Sequence, residues 1–311
     1  MKYKHLFGPV PSRRLGISLG VDLVPHKVCS MNCIYCEVGR TTNLTIERGD
    51  YIPLKDLMVE LKDYLKKEPE LDYITFSGAG EPLLHSGIGE IITFIKNNYP
   101  QYKLALITNS TLLYDENVRN EIKDIDLILP SLDAASEITF RKLNRPVAKL
   151  VLSDIIEGII EFKKMFSGEM WLEVFILPGL NDSEEELALL KKEITRIMPD
   201  QVQLNTLDRP GTERGLKAIT EARMNEIADF FRPLPVEVIA KFKSRKKIKS
   251  YNVDIESMIL ETISRRPCTA MDLSEILAIH INGVNKYIAS LLKEDRIVAE
   301  EQTRGVFFRA K

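Results

Sequence analysis

The chain has 311 residues, 44% of them hydrophobic, enough to bury a sizeable core without disulfide staples. Its 43 Lys and Arg residues nearly balance 45 Asp and Glu, for a net charge of −2, so global electrostatics give no reason to expect nucleic acid or an anionic membrane as partner. No apolar run reaches membrane-spanning length, and the opening MKYKHLFGPVPSRR lacks the apolar core of a signal peptide, so the expected compartment is the cytoplasm.

Along the chain, apolar β-branched runs alternate with segments of helical period. Runs at GISLGVDLV (16–24), DYITFSG (72–78), KLALITN (103–109), DLILPSLD (126–133), MWLEVFILPG (170–179) and QVQLNTL (201–207) read as strands. After the first of these, Leu54, Leu57, Met58, Leu61 and Leu65 repeat on one face of a helix. Leu187, Leu190, Ile194 and Ile197 form a second stripe, opened by NDSEEE, where Asp182 or Ser183 is placed to cap and the glutamates suit the positive helix end. Strands alternating with helices imply βα units and a parallel sheet. Periodicity does not separate an open doubly wound sheet from an incomplete barrel, but both put ligands at the carboxyl ends of strands.

PVEVIAKF (235–242) reads as one more strand. AKFKSRKKIKS (240–250) follows, with six basic residues and no acidic one, the composition of a solvated linker. ESMILETISRR, MDLSEILAI and VNKYIASLLKEDR then read as three helices, the last two joined by the turn HING, and IVAEE and GVFFRA as a hairpin. That order describes a winged helix-turn-helix. The expected division is a domain at 1–240, a basic linker at 241–251 and a winged helix at 252–311. Residues 251–311 hold eight basic and nine acidic side chains, and the expected second helix of the motif has one lysine, which favours docking of a partner or substrate over a phosphate backbone.

Three of the four cysteines, Cys29, Cys33 and Cys36, crowd into VCSMNCIYCEVG directly after the first strand, spaced C-x3-C-x2-C. A closed structural zinc site needs four ligands; His26, three residues before Cys29, offers a fourth, so zinc stays open. A four-iron cluster takes one thiolate per iron, and three thiolates would leave one iron free for another ligand. Polar residues gather at the other strand ends. These are SGAGEP with Gly78, Gly80 and Glu81, TNS with Asn109, PSLDA with Ser131 and Asp133, LPGLND with Asn181 and Asp182, and LNTLDRPG with Asn205, Asp208 and Arg209. Glycines there let a ligand approach backbone closely. Cys268 reads as a small buried residue. Arg13 and Arg14 suit either a substrate anion or a surface ion pair, and Asn144 to Pro146 either a turn or a substrate contact.

CSMNCIYC followed by a G-x-G-E-P loop resembles the radical S-adenosylmethionine (SAM) superfamily. GPVPSRRLGISLGVDLVP, VCSMNCIYCEVGRTT, SGAGEP, TNS, PSLDA, LPGLND and QLNTLDRP together resemble its wyosine-synthase-related branch, over residues 8 to 212. The resemblance implies an α/β fold, a partial (β/α)6 TIM-like barrel, and a [4Fe–4S] cluster held by Cys29, Cys33 and Cys36 whose open iron chelates SAM. It implies that Tyr35 packs near the adenine and that the backbone of Gly78 to Gly80, with Glu81, faces the SAM amino group. Asn109, Ser131 and Asp133 stand where relatives contact the ribose or carboxylate. The implied reaction is reductive cleavage of SAM to a 5′-deoxyadenosyl radical that abstracts hydrogen from a substrate, driven by a one-electron donor such as flavodoxin or ferredoxin. Wyosine synthases carry further cysteines upstream for a second cluster; residues 1 to 28 contain none, so one cluster is expected. The substrate is not readable: RNA, protein or peptide, and small-molecule substrates all stand open. The alternative class is a non-enzymatic iron–sulfur protein that binds DNA through its winged helix.

Overall fold

In the computed structural model, residues 3–12, 14–239, 255–277, 279, 281–302 and 304–311 are described. Arg13, Tyr251, His280 and the basic linker expected at 241–251 lie outside them.

The fold opens with an antiparallel pair, β1 (Leu6–Ser12) and β2 (Gly16–Val21). A two-residue parallel ladder follows, β3 (Val28–Cys29) with β4 (Asn43–Leu44). Then come α1 (Leu54–Leu65), β5 (Tyr73–Phe76), α2 (Ile88–Asn98), β6 (Lys103–Thr108), α3 (Glu116–Ile122) and β7 (Leu127–Pro130). The alternation continues through α4 (Glu137–Asn144), α5 (Leu152–Met165), β8 (Glu169–Phe175), α6 (Glu184–Ile197), β9 (Gln201–Asn205), α7 (Glu221–Phe230) and β10 (Val236–Val238). The spatial order is β1-β2-β5-β6-β7-β8-β9-β10, with every pairing from β2 to β10 parallel. All six expected strands are present, each one to four residues shorter at its carboxyl end than its apolar run. The extra strand of 235–242 is confined to Val236–Val238 among the described residues. This is an α/β fold with a mostly parallel, open sheet, consistent with a partial barrel.

Alternate strand residues face two environments, as the two-residue period requires. Leu104, Leu106, Leu172 and Val174 join the core under the helices. Ala105, Leu127 and Leu129 face the other way and form a separate apolar cluster with Leu15, against which Ile107 and Trp171 pack. Elsewhere this second face is polar. Ser18 and Thr75 share a hydrogen bond of 2.6 Å, and Arg14 pairs with Glu173 and donates to Gln203 at 3.3 Å. Arg14 is therefore in an ion pair, as one of its two expectations held, but a half-buried one on the inner face of the sheet.

The helices bury the expected stripes. Leu57, Leu61 and Leu65 of α1 are fully buried, and so are Leu190 and Ile194 of α6. Each such side chain is worth roughly 1.5–3 kcal/mol over its exposed state, an upper figure because unfolded chains are partly collapsed. Ser183 is the cap of α6, accepting from the Glu186 amide at 3.3 Å, while Asp182 accepts from the Gly179 amide at 2.6 Å.

After the barrel, α8 (Ile255–Arg265), β11 (Cys268–Thr269), α9 (Ala270–Leu277), α10 (Ile281–Lys293), β12 (Ile297–Gln302) and β13 (Gly305–Ala310) enclose a second core. β11, β13 and β12 form a three-stranded antiparallel sheet in that order. α10 starts at Ile281, so most of HING belongs to its first turn and not to a loop. Cys268 is fully buried in this core, as expected. The two units touch: Val10 packs on the second core, the Arg265 guanidinium lies 4.2 Å from the Phe7 ring centroid and pairs with Asp22, and Arg304 Nε is 3.2 Å from Asp208 Oδ1.

Candidate metal and cofactor site

The cysteine loop leaves β3 at the carboxyl end of the sheet and is sewn down on two sides. On one, the Asn32 and Ile34 amides donate to the Asn144 and Leu143 carbonyls at 3.0 Å, and the Val147 amide donates to Ser30 O at 3.0 Å. These acceptors are free because α4 ends there, with Arg145 left-handed at φ 45°. On the other side, Thr212 Oγ1 donates to Ile34 O at 2.8 Å, and a Cβ on Gly211 would stand 2.9 Å from Tyr35 Cα. The Asn144–Pro146 segment is thus a docking edge for the loop. No sequence pattern signals this, because it joins positions more than a hundred apart.

Cys29, Cys33 and Cys36 are all free thiols. Each sulfur has its own N–H donor. Asn109 Nδ2 lies 3.5 Å from Cys29 Sγ, Asn144 Nδ2 lies 3.5 Å from Cys33 Sγ, and Lys27 Nζ lies 2.7 Å from Cys36 Sγ. Burial pushes the Cys29 thiol up to about 11; burial and the neighbouring Cys36 and Cys29 push Cys33 higher still. Thiols held this way give up their protons to a metal cation and not to water. Among the described residues, no three His, Cys, Asp or Glu side chains close on a single ion, and His26 is exposed. Three buried or half-buried sulfurs, each with its own donor, suit a group that takes one thiolate per metal.

Beside the loop, Met31, Tyr35, Asn109, Ser131, Asp133 and Asn144 line a cavity of ≈ 40 Å³. Four residues expected to bind cofactor therefore meet in one place. Asp133 Oδ1 accepts from the Phe175 amide at 2.9 Å; its Oδ2 accepts from Asn144 Nδ2 at 2.8 Å and from the Tyr35 hydroxyl. The Tyr35 ring stacks on Phe175 with centroids 4.1 Å apart. Burial raises the Asp133 carboxyl to about 6, against the pull of the Tyr35 and Asn144 hydrogen bonds. Asn144, read from sequence as part of a turn or a substrate contact, is buried with Oδ1 unpartnered while its Nδ2 serves Asp133 and Cys33.

The glycine loop sits against the cysteine strand for a reason internal to the protein. Gly78 has φ 115°, and a Cβ there would stand 1.8 Å from Asp22 Oδ1; at Gly80 it would stand 1.8 Å from Val28 O. Glu81 is 1% exposed and differs from the expectation of a carboxylate facing a ligand. Its Oε1 accepts from Thr108 Oγ1 at 2.7 Å and the Leu83 amide at 3.1 Å, and its Oε2 accepts from the Asn109 amide at 2.8 Å. Burial nevertheless pushes this carboxyl up to about 7. Asn181 is likewise turned inward, bridging Asp133 O and Phe175 O at 2.8 and 2.7 Å. Arg209 is buried against Glu37 at 3.1 Å, and Asp208 faces Arg304.

The model of the radical SAM superfamily matches residues 23–190. The chain belongs to the radical SAM superfamily. It is 33% identical to a UPF0026 protein of Methanocaldococcus jannaschii, over 97% of this chain and 94% of that one. It is 36% identical to a Brachyspira hyodysenteriae protein named GTPase Obg over 98% of this chain, and spans only 45% of that relative. The 311 residues contain no GxxxxGK[ST] phosphate loop. A probable dual-specificity RNA methyltransferase, RlmN, of Chlorobium phaeobacteroides is 27% identical over 53% of this chain and 47% of its own length. Among solved structures, a radical SAM methyltransferase from Sphaerobacter thermophilus superposes with TM-score 0.56 at 16% identity, covering 71% of this chain and 65% of that one. TYW1 with a lysine-pyruvate adduct bound gives 0.50 at 16%, covering 72% and 75%. These likenesses show the fold. Superfamily membership implies a [4Fe–4S] cluster and SAM, and the enzymes of the superfamily need an electron donor and a substrate. It does not favour the reading of a non-enzymatic regulator. Among the described residues, no helix is long and apolar enough to cross a membrane.

Proposed function

We propose that this chain is a cytoplasmic radical SAM enzyme in which Cys29, Cys33 and Cys36 hold a single [4Fe–4S] cluster beside a SAM site. The observation that carries the reading is the trio of thiols, each with its own N–H donor, beside four strand-end and loop residues, Tyr35, Asn109, Ser131 and Asp133, gathered around one small cavity. When bound, the cluster and SAM supply reductive cleavage chemistry that yields a hydrogen-abstracting 5′-deoxyadenosyl radical. The protein's part is to hold and orient. Tyr35, Asn109, Ser131 and Asp133 contact SAM, with the Tyr35 ring braced by Phe175. The backbone of Gly78 to Gly80 offers polar groups beside β3. Glu81 acts as a positioning residue, fixing Asn109 through its amide. A flavodoxin- or ferredoxin-class protein delivers the electron.

The motifs at 8–212 support a place near the wyosine-synthase-related branch, and a macromolecular substrate, RNA or protein. Residues 1–240 form the catalytic domain, and 252–311 a winged helix whose near-neutral charge suits docking of that substrate or a partner better than duplex DNA. The test is anaerobic reconstitution followed by iron and sulfide analysis and electron paramagnetic resonance of the reduced protein with and without SAM. A four-iron signal that SAM perturbs, lost in Cys33→Ala, supports the reading. A protein that holds zinc and takes up no iron removes it.

A further inference from the structure

Lys27 stands immediately before the ladder that carries Cys29. It is 3% exposed, and lysines are almost never buried without a partner. Its ammonium donates to Cys36 Sγ at 2.7 Å and Gly39 O at 3.2 Å. Among the described residues it pairs with no carboxylate, while the one beside Cys36, Glu37, is met by buried Arg209. The backbone holding Lys27 is fixed. Its amide donates to Thr42 Oγ1 at 2.9 Å, and its carbonyl accepts from the Thr42 amide at 3.0 Å. The three sulfurs are therefore not equivalent. Cys29 and Cys33 meet neutral amides at 3.5 Å, whereas Cys36 meets a cation at charge-assisted distance.

Reduction of a [4Fe–4S] cluster adds one negative charge, and its potential is set by nearby net charge and by hydrogen bonds to the sulfurs. A buried ammonium on one ligand sulfur favours the reduced form on both counts, more strongly than an exposed one would. We propose that Lys27 is a positioning residue that raises the reduction potential of the cluster through Cys36. The inference rests on the reading that the three cysteines hold a four-iron cluster.

The experiment uses the full chain, reconstituted anaerobically, with iron and sulfide counted and the midpoint potential read by a redox titration followed by electron paramagnetic resonance, without SAM. In Lys27→Met the reduced-to-oxidised ratio at a given potential should fall at least tenfold, about 59 mV for a one-electron couple. Lys27→Arg, which keeps the charge, should stay near the parent protein. A fully loaded Lys27→Met that titrates with the parent overturns the proposal. Should Lys27→Met fail to load, Lys27→Gln, which keeps a donor but no charge, takes its place, with a smaller fall in the same direction expected because only the charge is lost; a loaded Lys27→Gln that titrates with the parent overturns the proposal. Loss of the cluster in both neutral variants but not in Lys27→Arg would make Lys27 an assembly residue and overturn the redox role. A parent protein that takes up no four-iron cluster defeats the underlying reading instead.

Discussion

Glu81 places an acid where its environment favours the neutral form, even though three donors point at it. Its carboxyl titrates near 7 in the folded protein against an ordinary 4.5. The folded state therefore binds the proton more tightly, so this contribution to stability is complete below 4.5 and is lost as pH rises through about 7. The interval corresponds to about 3 kcal/mol. In urea unfolding of the cluster-free protein, the parent should lose stability relative to Glu81→Gln between about pH 5 and about pH 8; parallel pH profiles would contradict the assignment. At this scale the cysteines were legible because their spacing is local. The inward turn of Glu81, the Asn144 contact to Cys33 and the Lys27 contact to Cys36 were not. The first two join residues 27 and 111 positions apart, and the third depends on how the loop folds back.

Between elements, the glycine loop after β5 and the cysteine-bearing β3 are packed backbone to backbone. A Cβ on Gly80 would meet Val28 O, a main-chain atom that cannot swing aside as a flexible side chain can. Gly80→Ala should cost about 1–3 kcal/mol and lower the iron bound per chain, because Val28 leads directly into Cys29. Gly49→Ala is the control, its nearest atom being Tyr51 Cε2 at 3.8 Å, and should load iron as the parent does. Equal iron content in the two variants would show that the contact does not brace the site. The six barrel strands were legible as apolar runs because helices cover one face and an apolar cluster fills much of the other. β1 was not, since Pro9 and Pro11 argue against a strand. An edge position and a register shift between Phe7 and Val10 accommodate them.

On the scale of the whole molecule, the second unit reaches the glycine loop through Asp22. Asp22 accepts from the Ala79 amide at 3.2 Å and pairs with Arg265 of α8, 243 positions away. The helices and hairpin of that unit were legible from their periodicity, but a docking contact between two distant charges leaves no pattern in the sequence. Arg265→Ala should speed amide hydrogen exchange both in α8 and around Ala79, because the buried Asp22 loses its cation. Faster exchange confined to α8 would mean that docking does not brace the glycine loop. The reaction itself is tested most directly by incubating the dithionite-reduced, reconstituted protein with SAM and measuring 5′-deoxyadenosine. The parent should form it and Cys33→Ala should not. A parent protein carrying its full complement of iron that forms none would contradict the assignment of radical SAM chemistry to this site.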